Sequence, residues 1–325
     1  MNHEWSGLVE ISESWLNTEV RIMVAGSTGM VGSALIRQLS NSNEIIPVNS
    51  AVLDLTDRKK TFKFVAEAKP DIVFNAAAKV GGILENDRFP SEFLSINLQI
   101  QTNLFDACNA VEVEKVVFLG SSCIYPNNIN VPIKENDLMN GPLEPTNSAY
   151  AIAKIAGIEA VKAFRKQYNR NWISVMPTNL YGPNDNFDLN SCHVLPALIR
   201  KFHTAKVNHD QEVVLWGTGT PRREFLHVDD LASATIYLAE NYDSSEHINV
   251  GTGADIEIIE LATLISSIIG YEGEVKWDTE KPDGTLRKVL DTTKLKEIGW
   301  EPTYSLENGI RDTYNWYLAN SERGI

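Results

Sequence analysis

Cysteine is scarce in this chain, with three in 325 residues, at positions 108, 123 and 192. An odd number cannot all pair and none forms a CxxC, so a disulfide framework is excluded as the basis of the fold and a reduced, cytoplasmic setting is expected. The six histidines show no HxxxH spacing, so no metal site is expected. Long apolar runs are also missing. No stretch approaches the roughly 20 apolar residues of a bilayer span, so no membrane segment is expected. Residues 1–19 have neither a basic start nor an apolar centre, and they read as an N-terminal extension rather than a signal peptide. Basic residues are few as well: 29 Lys and Arg against 43 Asp and Glu leave a net charge of −14. Simple repulsion then disfavours nucleic acid and anionic membranes as partners. A small anionic substrate is still compatible with this balance where basic residues cluster locally.

What is present is a repeated alternation. Residues 20–25 form a short apolar run that ends in the turn Gly26, Ser27, Thr28, Gly29, Met30, Val31, Gly32, and residues 33–39 follow at helical spacing. Further buried-strand candidates lie at 44–48, 71–75, 116–119, 172–176 and 247–250, with helical patterns between most of them. Such alternation predicts an α/β protein with a doubly wound parallel sheet covered on both faces. Past residue 183 the pattern loosens. The expected organisation is a dinucleotide-binding unit from 20–182 and 224–252, with a smaller, mostly C-terminal α/β substrate unit from 183–223 and 253–320.

Glycines at 26, 29 and 32 suit a tight turn, close approach of backbone to a diphosphate and close helix packing, although the spacing is GxxGxxG rather than GxGxxG. Its place after the first strand is what points to a dinucleotide. Asp54 either receives the adenine end or caps the next helix. The second strand ends in Asn49 and Ser50, offering neither an acid for a ribose hydroxyl nor an arginine for a 2′-phosphate.

Of ten tyrosines, Tyr150 alone has a lysine four residues on, Lys154. On a helix the two share a face, and a nearby ammonium favours the phenolate form. Ser121 falls at the carboxyl end of the fourth strand, where open α/β sheets bind ligands. Two residues later stands Cys123, either a small apolar filler or a proton-transfer group. The filler reading suits Cys108, which lies within a helical run.

The strand-end serine, YxxxK and GxxGxxG together resemble the extended short-chain dehydrogenase/reductase superfamily, with its Rossmann sheet. Longer segments narrow this: GSSCIYP (120–126), LEPTNSAYAIAKIAG (143–157), SVMPTNLYGPNDNF (174–187), HVLPAL (193–198), REFLHVDD (223–230), HINVGTG (247–253) and KPDGTLRK (281–288) resemble the GDP-L-fucose synthase family. The resemblance spans residues 20–320. It implies inversion of carbons 3 and 5 beside the ketone of a GDP-4-keto-6-deoxymannose, followed by reduction of that ketone with NADPH.

In that scheme Ser121 and Tyr150 stabilise the enolate, Cys123 is the base and His193 the acid on the opposite face. An ordinary thiol and an ordinary imidazole titrate on either side of neutrality, which suits proton exchange. The family's cofactor contacts fall on the 26–32 turn, Asp54, Leu119, Gly120, Ser121, Ser122, Lys154, Pro177, Thr178, Asn179, Leu180 and His193. Its GDP-sugar contacts fall on Lys201, Trp216, Arg223, Asp283 and Lys288. Two departures stand out: Lys201 replaces a frequent arginine, and Ser27 and Thr28 stand where some members carry an arginine able to face a 2′-phosphate. NADPH is expected, with NADH use left open. The same chemistry on a GDP-4-keto-3,6-dideoxy sugar, as in colitose synthesis, remains an alternative, and a non-catalytic dinucleotide-binding regulator is a remoter one. Apolar residues on several faces of helices near 95–111 and 149–168 suggest a homodimer.

Overall fold

A computed structural model describes residues 20–39, 44–189, 191–281 and 283–320; the expected extension, 1–19, lies outside them. In chain order the elements are β1 (Arg21–Ala25), α1 (Met30–Leu39), β2 (Glu44–Val48), α2 (Arg58–Ala68), β3 (Ile72–Asn75), α3 (Ile83–Arg88), α4 (Pro90–Ala110), β4 (Lys115–Leu119), α5 (Ser148–Tyr168), β5 (Ile173–Pro177) and β6 (Asn179–Tyr181). There follow α6 (Val194–Asn208), β7 (Glu212–Trp216), β8 (Arg222–His227), α7 (Val228–Asn241), β9 (Ile248–Val250), β10 (Asp255–Glu257), α8 (Ile258–Ile269), β11 (Glu274–Asp278), β12 (Arg287–Lys288), α9 (Thr293–Ile298) and α10 (Leu306–Asn320).

Six strands form one parallel sheet in the order β2-β1-β3-β4-β5-β9. All six were expected from apolar runs, each within a residue or so. Alternation within each strand feeds both faces: Ile22 and Val24 join the core under α1 and α7, while Met23 and Ala25 join the core under α2, α4 and α5. Burial on both faces is why the strands read as nearly unbroken apolar runs. Pro47 is tolerated because β2 is an edge strand. The sheet's growth reverses at β1, which has β2 on one side and β3 on the other, and a crevice opens there at the carboxyl ends.

A third core joins α6, α8, α10, β7 and β11 through residues such as Phe187, Phe202, Leu261 and Ile310. Between the two regions lies a small sheet, β10-β8-β12 with β6 also on β8. Leu290, Leu295 and Trp300, from the last stretch of chain, pack into the cores of the large sheet, so that stretch serves both regions.

Candidate active site

The glycine turn occupies the crevice at the end of β1. Its N–H groups at Gly26 and Ser27 both donate to the Val48 carbonyl, at 2.8 and 3.0 Å. Gly26 has φ +83°, and a Cβ there would lie 2.7 Å from the Ala76 oxygen; at Gly32 a Cβ would fall 2.1 Å from the Gly26 oxygen. The protein's own packing demands these two glycines. Gly29 is different, because a Cβ there would meet only the Gly26 oxygen, at an ordinary 3.4 Å. The space in front of Gly29, facing the first N–H groups of α1 from Met30, Val31 and Gly32, is a cradle that fits a dinucleotide's diphosphate.

The far end of this cradle is uncharged. Thr28 and Ser50 are exposed, and the Asn49 side chain is occupied by the N–H groups of Ala51 and Val52. Arg37 is drawn to Asp229 and Arg58 to Asp106. Asp54 does not cap the next helix. Asp57 caps α2, and Asp54 folds onto Thr56, taking its N–H at 2.9 Å and its hydroxyl at 2.7 Å.

At the end of β4 the chain turns sharply through Gly120, where a Cβ would strike the Met176 side chain. Ser121 is extended and caps the short helical turn Ser122–Ile124, its Oγ accepting the Cys123 N–H at 3.2 Å. That turn sets Cys123 close enough to act electrostatically on the Tyr150 phenol. Opposite them, α5 begins immediately after the turn Pro145–Asn147, which Glu144 caps, so Tyr150 lies in the helix's first turn and Lys154 in its second. The Tyr150 phenol interacts with Ser121 and Cys123. Lys154 is buried, donates to the Leu119 carbonyl at 2.9 Å, and has its Nζ 5.7 Å from the Tyr150 ring centroid.

Burial dominates the titration here. It pushes the Tyr150 phenol well up, with the Cys123 sulfur adding to the rise and the Ser121 hydroxyl opposing it. It also draws Lys154 down to about 8. The expected lowering of the tyrosine by its lysine is therefore not met, because Lys154 spends its charge on a carbonyl and desolvation outweighs it. Ser122 and Thr178 are buried, and the Thr178 N–H donates to Val250 at 3.0 Å. Asn179, beside Pro177 and Leu180, donates to the Glu224 carbonyl at 2.8 Å.

His193 is the N-cap residue of α6, yet its side chain makes no capping bond. It is open to solvent on one side, and the protein around it lowers its imidazole from the usual histidine range. Along the same helix Lys201 has its Nζ 6.0 Å from the Trp216 ring, and burial lowers it too. Trp216 is 59% exposed, so it is not a core residue. Thr218 donates to Asp283 from its N–H at 2.9 Å and its hydroxyl at 2.7 Å, and these bonds keep that carboxylate below its ordinary range. Arg223 lies against Gly284, and burial lowers it. Lys288 is its register neighbour across β8 and β12. The Lys288 Nζ lies 4.0 Å from the Cys123 Sγ.

The structure thus brings Ser121, Cys123, Tyr150, Lys154 and Lys288 into one group, and gathers Lys201 with Trp216 and Arg223 with Asp283 beside it. His193 makes no hydrogen bond with the cysteine group among the described residues. Sequence reasoning missed two supports. Phe93 meets the Tyr150 ring edge-on, with centroids 6.3 Å apart. Glu224, fully buried, accepts the N–H of Gly253 at 2.7 Å and of Leu290 at 2.9 Å, and so ties β8 to the chain on either side; burial raises its carboxyl.

The family model described as the NAD dependent epimerase/dehydratase family matches residues 22–251. GDP-L-fucose synthase 1 of Arabidopsis thaliana is 50% identical over 309 residues, covering 94% of this chain and 96% of its own. The GDP-L-fucose synthase of Escherichia coli K12 is 48% identical over 314 residues, covering 93% and 98%. Among solved structures, a GDP-L-fucose synthetase from Naegleria fowleri bound to NADP is similar with a TM-score of 0.87 at 29% identity, covering 94% of this chain and 96% of that one. With a parallel sheet, a glycine turn at its switch point and matches of this length, the chain belongs to the NAD dependent epimerase/dehydratase family.

Proposed function

We propose that the chain is a bifunctional epimerase-reductase that converts GDP-4-keto-6-deoxy-D-mannose to GDP-L-fucose with NADPH. The observation that carries this reading is the Cys123 thiol beside Ser121 and Tyr150 at the end of β4. Ketone reduction needs the serine and tyrosine; a thiol adds nothing to it, whereas inversion of carbons next to a ketone needs a base there. The named relatives support the same substrate.

Ser121 and Tyr150 hold the ketone oxygen and stabilise the enolate as it forms. Cys123 takes the proton from one face of the sugar ring, and His193 returns one to the other. When bound, NADPH supplies the hydride for carbon 4. Tyr150 then gives its proton to the new alkoxide, and Lys154 holds the ribose next to it. The turn residues 26–32, Leu119 to Ser122 and Pro177 to Leu180 line the cofactor, with its adenine end towards Asp54. Lys201, Trp216, Arg223, Asp283 and Lys288 receive the GDP-sugar, their cations offsetting its diphosphate within an acidic protein.

The dinucleotide unit is 20–182 with 224–252, and the substrate unit 183–223 with 253–320. Two copies pair through α4 and α5, which pack on each other and leave Ile152 49% exposed on α5.

The test is incubation with GDP-4-keto-6-deoxymannose in heavy water, with and without NADPH, following deuterium by NMR. Exchange at carbons 3 and 5 without NADPH, and GDP-fucose only with it, is the expected result. NADPH oxidation without exchange would make the protein a simple ketoreductase.

A further inference from the structure

In a chain with a net charge of −14, a basic side chain that faces no carboxylate is informative. Arg222 and Arg287, beside the substrate region, are both neutralised by Asp255, and Arg222 also by Glu257. Lys288, next in sequence to Arg287, makes no ion pair among the described residues, and its ammonium contacts the Cys123 sulfur at 4.0 Å. The placement is built in. The Arg222 N–H donates to Leu286 at 2.8 Å, Ile133 donates to Val289 at 2.9 Å, Asp291 donates to Ile133 at 2.8 Å, and Leu290 donates to the buried Glu224 carboxylate at 2.9 Å. The strand carrying Lys288 is thus clamped from both sides, and the turn carrying Cys123 is held by Ser121.

We propose that Lys288 is a positioning residue for Cys123, holding the sulfur towards the sugar through the contact between its ammonium and the sulfur. The inference rests on the epimerase reading only for its consequence, not for the contact itself. When the carbon–hydrogen bond next to the ketone breaks, its electron pair moves to the ketone oxygen and its proton to the sulfur, which becomes a neutral thiol. Because Lys288 is also the register neighbour of Arg223, the group that positions the base sits in the strand pair that meets the substrate's phosphates.

The experiment is alkylation of the full chain by iodoacetamide at neutral pH without substrate, following each cysteine by mass spectrometry. Lys288→Met is expected to slow alkylation of Cys123 about fivefold, through loss of the contact between ammonium and sulfur, and to leave Cys192 unchanged. Lys288→Arg keeps the charge and is expected to restore the rate. NADPH affinity, read by fluorescence, shows that each variant is folded. An unchanged Cys123 rate in a Lys288→Met protein that still binds NADPH would overturn the proposal and leave Lys288 a substrate contact alone. Absence of deuterium exchange in the unmodified protein would instead defeat the epimerase reading, and the alkylation comparison would still report on the contact.

Discussion

The two halves of the site are made from different materials. The proposed cofactor half is mostly backbone, a glycine turn running into the start of α1 whose glycines clear space. The proposed substrate half is made of side chains from four separate stretches, carrying Lys201, Trp216, Arg223 and the pair Asp283 and Lys288, and brought together by a small sheet and a helix. A backbone site is sensitive to atoms added to it, and a side-chain site to charges removed from it.

The largest effect follows from that difference. Gly32→Ala puts a Cβ 2.1 Å from the Gly26 oxygen, and the expected loss is about 3 kcal/mol of stability, read by denaturant unfolding. Gly29→Ala, with its single 3.4 Å contact, should unfold like the parent yet bind NADPH more weakly. Equal stability of the two variants would remove the distinction between a glycine kept for packing and one kept for the ligand.

At the junction of the halves, Tyr150→Phe should lower kcat for ketone reduction by about a hundredfold or more with little change in NADPH binding. An unchanged kcat would take the proton donor away from α5. In the substrate half, Arg223→Met should raise KM for the GDP-sugar about tenfold through loss of a charge-assisted contact, leaving NADPH affinity alone. If NADPH affinity moved as much, the two halves would not be separable. Thr28→Arg works in the opposite sense, adding a charge to the backbone half, and should favour NADPH over NADH about tenfold more than the parent does in a binding assay.

A further effect concerns Asp185, in the loop that leads to His193. It is buried, and burial raises its carboxyl to about 7 against an ordinary value of 3.8. A folded-state value above the unfolded one means that its contribution is whole below about pH 4 and fades as pH rises through about 7. Asp185→Asn should flatten the pH dependence of thermal unfolding across that window. The same slope in both proteins would place the titrating group elsewhere.

How much of this was legible differs between the halves for the same reason. The turn at 26–32 and the pair Tyr150 and Lys154 are local, set by spacing along a few residues, and they could be read from the chain. Cys123 could be read as a choice between filler and base, and its position beside Ser121 and Tyr150 favours the base. Cys108, with none of its surface exposed and its thiol pushed up by burial, is the filler. Glu224 and Phe93 were not legible, since each acts on residues far away in sequence.

The sequence by itself determined the six strands of the large sheet and their parallel arrangement, the glycine turn and the tyrosine–lysine face, because hydrophobic period and helical spacing are properties of neighbours. Tertiary structure decided the electrostatics. Burial raised Tyr150 despite its lysine, Asp57 rather than Asp54 capped α2, and the clamped strand around β12 carried Lys288 across 165 residues of chain to Cys123. Charge interactions depend on distance through space and on the water excluded between groups, and neither is written in the spacing of residues along the chain.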